Sequence, residues 1–262
     1  MAYMTASTLF HGLEVPDRTN GPKLRFGAEL GNIPTISASD RQVGFNGSKD
    51  EDLNKSKVFG RARLWWGLPW DFTLELGYTP PVSINGLRSD RIIAGALARP
   101  LWTGQSWRLG LRLFGQYARV SGDITCSKDI VRFGPDDASN NPYGCVAPSD
   151  DRVKMNHYGA ELALARTIGQ WSPFASWSYV KIEPEVEVNA ETISGPDRVL
   201  LGTEGDLKTG AFGVNYRLKN GMRWSLSGLW TPLSVKRRTG IENDDFWSVH
   251  FLFQLDTRHL GL

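Results

Sequence analysis

The sequence predicts an all-β fold: an antiparallel, up-and-down transmembrane β-barrel of about ten strands. Three observations lead to this prediction. Apolar residues alternate with polar or small residues in segment after segment, which is typical of strands with two unlike faces. Short and long connections follow one another in turn, and tryptophans gather at the short ones. No run of about eighteen apolar residues occurs, so any spanning structure must consist of strands.

The strands follow from period-two alternation along the whole chain. Near the N-terminus, Leu24, Phe26, Ala28 and Leu30 share one face, while charged or small residues occupy the other. The same pattern recurs as far as residues 247–255, and helical spacing does not extend over any useful length. The predicted strands lie near residues 23–36, 57–68, 72–82, 90–101, 107–124, 154–167, 172–187, 206–218, 222–236 and 245–256.

The connections between these strands alternate in length. In a membrane barrel the short turns are periplasmic and the long loops are extracellular, so ten strands place both termini on the periplasmic side. Short turns are predicted at residues 68–71, 102–106, 168–171 and 219–221. Long loops rich in Gly, Asp and Asn are predicted at residues 38–56, 83–89, 125–153, 188–205 and 237–244.

Tryptophan marks the ends of the predicted strands. Indole prefers the membrane–water interface, where its body is apolar and its N–H stays hydrated. A soluble β-sandwich or lipocalin-like barrel also alternates and would bury these aromatics in its core, but it does not need them at both strand ends. We predict an interface position near the short turns for Trp65, Trp66, Trp70, Trp102, Trp107, Trp171 and Trp224, and a second belt near the long loops for Tyr78, Tyr117, Tyr158, Trp177, Trp230 and Trp247.

In this layout the chain resembles the small outer-membrane β-barrel proteins of Gram-negative bacteria, over residues 22–256 and through its architecture rather than a single motif. No closer family is indicated. The resemblance implies a place in the bacterial outer membrane, in contact with its lipid and lipopolysaccharide, with both termini in the periplasm.

Two domains of unequal size are predicted. Residues 22–262 form the barrel, since no linker or charge run divides them. Residues 1–21 have no strand pattern, and we expect them to lie in the periplasm or to fold into the lumen. They lack a basic region and a sustained apolar core, so a signal peptide is expected to have been removed.

The two cysteines indicate an oxidising compartment. Cys126 and Cys145 lie in the same predicted loop, and a disulfide there would stabilise the chain by about 3 kcal/mol. Two free thiols are the alternative. Neither cysteine has a partner at CxxC spacing, and the four histidines are scattered, so the sequence predicts no metal site and no cofactor.

Charged residues recur on the face opposite the apolar stripe. The net charge is only +2, from 30 basic and 28 acidic residues, so nucleic acid is not expected as a partner. The interior of a ten-stranded barrel is only slightly wider than that of the eight-stranded kind that side chains fill. We therefore expect long side chains to pair across the lumen and obstruct it. The predicted lumen-lining residues are Arg25, Glu29, Arg61, Arg63, Glu75, Arg112, Gln116, His157, Glu161, Arg217, Arg223 and His250.

The catalytic patterns of known barrel enzymes are not found. Omptin-family proteases use an Asp-x-His pair, and the outer-membrane phospholipase and lipid A deacylase families use a His-x-Ser pair, but the sequence has neither. Asp244 and Asp245 are interpreted as solvated loop acids. His250 and Ser227 could meet across the last two strands as base and nucleophile, but a structural hydrogen bond is the favoured interpretation.

The predicted function is therefore that of a non-enzymatic scaffold. Its long loops 38–56, 125–153 and 188–205 are expected to bind an extracellular or complex partner, in adhesion or anchoring. A narrow porin-like channel for small polar or anionic solutes is the alternative, because excess arginine in the lumen favours anions. An outer-membrane hydrolase is the third hypothesis.

Overall fold

In a computed structural model of the protein, ten antiparallel strands close into a barrel. The structure describes residues 1–18, 23–37, 41–43, 49–218, 221–237 and 240–256. Each strand pairs with the next, and the last returns to the first, where Ala28 lies opposite Phe253. The predicted fold is confirmed. The strands are β1 (Leu24–Asn32), β2 (Val58–Gly67), β3 (Thr73–Thr79), β4 (Leu87–Thr103), β5 (Trp107–Gly122), β6 (Asp151–Arg166), β7 (Trp171–Thr192), β8 (Gly205–Arg217), β9 (Arg223–Arg237) and β10 (Gly240–Asp256).

Shorter elements join and extend the barrel strands. Five short strands span Gln42–Val43, Lys49–Asp50, Ser83–Ile84, Cys145–Ala147 and Gly195–Gly202. The helices are α1 (Ala2–Ala6) and α2 (Lys128–Val131), and a 3-10 turn spans Pro69–Asp71. In the part of the chain that the structure describes, no helix is long and apolar enough to cross a bilayer.

Several strand ends differ from the predicted ones. β3 ends at Thr79 rather than near residue 82, because Pro80 and Pro81 have no N–H to donate to a ladder. The predicted loop 188–205 is largely a hairpin, in which the end of β7 pairs with the strand Gly195–Gly202. Parts of the loops 38–56 and 237–244, of the turn 219–221 and of the C-terminus beyond residue 256 lie outside the described residues.

The outer face of the barrel is apolar around its middle. Leu113, Leu162 and Leu164 point outward and are exposed on the barrel. Along β7 the outward side chains are apolar or aromatic up to Tyr179, whereas from Lys181 onward they are charged or polar. An apolar band that ends in aromatic residues is typical of strands that face lipid.

The aromatic residues form two separate clusters on this outer face. Near the short turns, the ring of Trp171 lies 4.4 Å from that of Tyr216 and 5.7 Å from that of Trp224. Nearer the loops, Trp230 lies 6.3 Å from Trp177 and 6.2 Å from Trp247, measured between ring centroids.

One tryptophan differs from the predicted interface set. Trp66, Trp70, Trp102, Trp107 and Trp171 are exposed, and Trp224 is half-buried. Trp65 is instead only 2% exposed and packs with Leu13 and Leu252 inside the barrel. The reason is the alternation of β2, which places Trp65 on the same inward face as Arg61 and Arg63.

Cys126 and Cys145 form the predicted disulfide, with both residues fully buried in the longest loop. Hydrogen bonds order the rest of this loop. The carboxylate of Asp151 accepts from the backbone N–H of Thr125 at 2.6 Å and of Asn189 at 2.9 Å. The loop is therefore joined to β7 and does not hang free above the barrel.

Replacing Cys126 and Cys145 by serine is expected to destabilise the protein by about 3 kcal/mol, because the reduced chain gains loop entropy on unfolding. Urea unfolding in lipid vesicles would measure the change. Ser139→Ala, at an exposed position of the same loop, is the matched control and should leave the midpoint unchanged. An unaltered midpoint in the cysteine variant would mean that the hydrogen bonds alone hold the loop.

Candidate functional site: the closed lumen and the surface loops

The N-terminal segment fills the lumen. We call residues 1–17 the plug, because Leu9, Phe10 and Leu13 are fully buried inside the barrel. Helix α1 lies at the loop end, where the ring of Tyr3 stands edge-on to that of Phe246 at 5.0 Å. Of the two positions considered for this segment, the structure has the one inside the lumen.

Six buried side chains form a network of ion pairs around the middle of the plug. We call Glu29, Arg61, Arg63, Glu75, Arg112 and Glu161 the central charge cluster. Its contacts run around the barrel wall: Arg63 Nε to Glu29 at 2.7 Å, Arg112 Nε to Glu75 at 3.1 Å, and Arg112 Nη1 to Glu161 at 3.2 Å. Three arginines face three glutamates, so the cluster is balanced in charge.

The cluster also binds the backbone of the plug. Arg61 donates to the carbonyl of Thr8 at 2.8 Å, Arg112 to that of Phe10 at 2.8 Å, and Arg63 to that of His11 at 2.7 Å. In return, the N–H of Gly12 donates to Glu161 at 2.9 Å. Extended backbone inside the barrel thus finds the partners that a ladder would otherwise supply.

Phe10 is the centre of this arrangement. The guanidinium carbons of Arg61, Arg63 and Arg112 lie 5.0, 4.5 and 4.5 Å from the centroid of its ring. These distances are typical of cation–π contacts, which are stronger where water is excluded. The plug is therefore held by one aromatic side chain and several backbone hydrogen bonds, none of them covalent.

A second group of charges holds the plug at the short-turn end of the barrel. Glu14 contacts Arg25 at 2.6 Å and Arg223 at 3.5 Å. Asp17 contacts Arg108 and, at 3.6 Å, Arg217. Here the plug supplies the acids and the strands supply the bases.

The predicted lumen-lining residues occupy three kinds of position. Arg25 and Arg223 are half-buried at the short-turn end, and Arg217 is exposed at the rim of that end. The remaining nine are buried in the interior: Glu29, Arg61, Arg63, Glu75, Arg112, Gln116, His157, Glu161 and His250.

His250 does not pair with Ser227 as the hypothetical nucleophile and base required. The two residues are opposite each other in the ladder of β9 and β10, but Nε2 of His250 lies 3.1 Å from Oγ of Ser248, and Nδ1 lies 2.9 Å from Glu29. A serine, a histidine and an acid in this order resemble a hydrolytic triad. All three are buried, however, and Glu29 also binds Arg63. We interpret this series of hydrogen bonds from Ser248 through His250 to Glu29 as structural, because it holds the carboxylate of Glu29 in place.

Sequence reasoning missed the residues of the plug and some of its partners. Arg108 precedes Arg112 by four positions on the same face of β5, so alternation alone could have identified it. Glu14 and Asp17 lie in a segment without periodicity, and no sequence signal pointed to them. The same holds for Phe10.

The long-loop end of the barrel carries exposed apolar side chains. Ile193, Leu200 and Leu201 of the β7 hairpin are 59, 64 and 49% exposed, and Val199 and Val146 are exposed beside them. We call these five residues the hairpin patch. A groove of about 440 Å³ runs beside it, between Val188 and Leu200. Leu200 alternates with Val199 and Leu201 along its strand, so the exposed apolar side chains lie on both faces of the hairpin. Exposed apolar groups of this kind mark interaction surfaces.

A tyrosine joins the disulfide loop to the same hairpin. The hydroxyl of Tyr143 donates to Asp197 at 2.7 Å. Burial and then the hydrogen bond to this carboxylate raise the pKa of Tyr143 to about 12. The hydrogen bond is therefore fully present below the ordinary tyrosine pKa and is lost only as the pH rises through about 12.

Metal binding finds no support in the part of the chain that the structure describes. Within it, no three or more His, Cys, Asp or Glu side chains are grouped so that they could hold a metal ion.

Comparison with known proteins identifies no family for this chain. No protein-family model matches the sequence, and no curated protein matches it. Similar solved structures are the outer membrane protease OmpT from Escherichia coli (TM-score 0.48, 10% identity, covering 94% of this chain and 100% of that chain) and Ail, the attachment invasion locus protein of Yersinia pestis (0.34, 6%, 89% and 97%). A third is the Pseudomonas putida toluene transporter TodX (0.36, 8%, 92% and 68%). The likeness concerns the barrel and says nothing about activity.

Proposed function

We propose that the protein is an integral barrel of the bacterial outer membrane that binds a protein partner at the cell surface through its disulfide loop and β7 hairpin. The observation that carries the proposal is the hairpin patch, which is apolar and exposed. It lies beyond Lys181, the position on β7 from which the outward side chains are charged or polar instead of apolar. Its support is rigid, because the disulfide and Asp151 join the loop to β7. Preorganised surfaces lose little entropy on binding.

The barrel wall, the plug and the loops have separate roles in this proposal. The apolar band of the barrel contacts outer-membrane lipid and lipopolysaccharide, and the lumen is closed by the plug in the resting protein. Loops 125–153 and 188–205 supply the partner surface. Loop 38–56, in part outside the described residues, is an accessory surface, and the role is non-enzymatic.

A photo-crosslinking amino acid at Leu200 tests the surface proposal in the native outer membrane. We expect one discrete protein adduct, because Leu200 is the most exposed residue of the patch. The adduct should be lost in a variant that also carries Arg198→Asp, because Arg198 is exposed on the same face of the strand as Leu200. The same amino acid at Gln105, an exposed polar position in the short turn between β4 and β5 at the opposite end of the barrel, is the matched control. No adduct, or the same adducts from both positions, would contradict the proposal.

A channel is the second candidate, favoured by one observation. Every contact between plug and wall is non-covalent, so release of the plug is a physical means of opening. Conductance recordings of the wild type and of a variant that lacks residues 1–17 separate the two functions.

A further inference from the structure

The barrel wall has a gap above β3. This strand has seven residues, whereas a strand that spans a bilayer needs about nine to eleven. Its ladder with β2 ends at Tyr78 opposite Ala62, and its ladder with β4 ends at Thr79 opposite Ile92.

The neighbouring strands continue beyond this end. β2 runs on to Val58, paired within the described residues only with β1. β4 extends back to Leu87, where it pairs with β5 on one edge and with the short strand Ser83–Ile84 on the other. Because Pro80 and Pro81 stop β3, no barrel strand pairs with the end of β2 on this side. The place of such a strand is taken by residues 80–84, whose short strand pairs with β4 and which line the cavity opposite β2. The gap lies at the loop end of the apolar band, in the part of the wall that faces the outer leaflet.

An apolar cavity of about 390 Å³ occupies this gap. On the bilayer side it is lined by the exposed side chains of Leu30, Val58 and Val82. On the lumen side it reaches the buried Phe59 and Ile92, and residue Thr8 of the plug lies at its inner end. The cavity therefore connects the lipid-facing surface with the interior. Its volume is within the range of ligand pockets, about 300–1,000 Å³.

Cationic side chains flank the opening. Lys57 is exposed and adjoins the lining residues Ser56 and Val58 in sequence. Arg88 is exposed and lies between the lining residues Leu87 and Ser89. Its Nε is 3.7 Å from the carboxylate of Asp90, a solvent-exposed ion pair that contributes little energy. An apolar slot that is continuous with the lipid-facing surface, with positive charge at its outer end, matches an aliphatic chain below an anionic headgroup.

We infer that this lateral opening binds the aliphatic chain of an anionic lipid of the surrounding bilayer. The chain lies between β2 and β4 with its end against Phe59 and Ile92, and the headgroup stays outside near Lys57 and Arg88. The site is independent of the hairpin patch and of the proposed surface function.

The test uses the full-length protein in vesicles that contain phosphatidylglycerol with a photoactivatable diazirine at the end of one acyl chain. In the wild type we expect label on Phe59 or Ile92, which face inward and are out of reach of lipid at the outer surface. Label on the outward residues Leu113 and Leu164 reports ordinary lipid contact in the same sample.

Filling the slot should remove only the inner label. Gly60 lies on the outward face of β2 at the cavity, and a Cβ built there would be 3.5 Å from Leu30, so a side chain fits. Gly60→Phe is expected to lose label on Phe59 and Ile92 and to keep it on Leu113 and Leu164. Gly95→Phe is the matched control, because Gly95 lies outward on β4 in open surroundings and does not line the cavity. It should keep all four labels.

Three results would overturn the inference. The first is a wild type without label on Phe59 or Ile92, and the second is inner label that persists in Gly60→Phe. The third is equal inner labelling by a zwitterionic phosphatidylcholine probe, which would refute the assignment to an anionic lipid. If Gly60→Phe does not fold, as shown by loss of label on Leu113, Ala62→Phe replaces it, since Ala62 also lines the cavity.

Discussion

Deletion of residues 1–17 is expected to raise the single-channel conductance on the order of tenfold above that of the closed wild type. The reason is that Phe10 and its neighbours occupy the lumen, so their removal leaves a water-filled passage lined by polar strand residues. The open form should prefer anions, because seven strand arginines then face three glutamates. These are Arg25, Arg61, Arg63, Arg108, Arg112, Arg217 and Arg223 against Glu29, Glu75 and Glu161. Planar bilayer recording measures both quantities.

A synthetic peptide of residues 1–17 provides the matched control for this deletion. Added to the side of the bilayer that carries the short turns, it should block the open variant, whereas a scrambled peptide of the same composition should not. A deletion variant that conducts no more than the wild type would show that strand side chains close the lumen by themselves. A wild type that already conducts like a general porin would refute the closed lumen and favour the channel function.

Replacing Glu29 by glutamine is expected to lower the free energy of unfolding by about 3–5 kcal/mol. Glu29 accepts from Arg63 at 2.7 Å, lies 3.4 Å from Arg61, and is 2.9 Å from His250. A neutral amide leaves the buried Arg61 without its carboxylate partner and Arg63 with Glu75 alone, at 3.9 Å. This desolvated positive charge is what destabilises the barrel. Urea unfolding in lipid vesicles, followed by tryptophan fluorescence, measures the loss.

Two further variants test whether buried positive charge causes this loss of stability. Glu183→Gln removes an exposed carboxylate on the outer face of β7 and should leave the midpoint unchanged. Adding Arg63→Met to Glu29→Gln removes one of the two buried guanidinium charges and should recover part of the stability. A loss below about 1 kcal/mol for Glu29→Gln would mean that Arg61 and Arg63 find other partners or water.

The strands were predictable because the sequence of each one shows the alternation of its two faces. Lipid on one side and a polar lumen on the other force alternate residues to differ, so β5 and β10 could be recognised without knowing their neighbours. The same parity placed Arg61 and Arg112 on the inner face. Applied consistently, it would also have placed Trp65 there, since Trp65 follows Arg63 by two positions. The interface prediction for Trp65 was wrong because proximity to a turn was preferred to parity.

The ends of the strands were less predictable than their existence. A ladder ends where the partner strand stops or where an N–H is missing, and both conditions lie outside the alternating pattern. The end of β3 was an exception, because Pro80 and Pro81 indicate it in the sequence. The predicted strand was nevertheless extended to residue 82, since an apolar residue follows at Val82. By contrast, β7 extends to Thr192 because a partner strand happens to follow in the hairpin, which no property of residues 188–192 required.

By itself, then, the sequence determined the class of the fold, the number and order of the strands, the faces of their side chains and the shared loop of the two cysteines. Each of these depends on spacing along the chain, which a single sequence contains. Tertiary structure alone decided that residues 1–17 enter the lumen, that Phe10 is enclosed by three arginines, and that a lateral cavity opens above β3. These features join residues such as Thr8 and Arg61, which are far apart in the chain, and nothing in the local pattern of either one specifies the other.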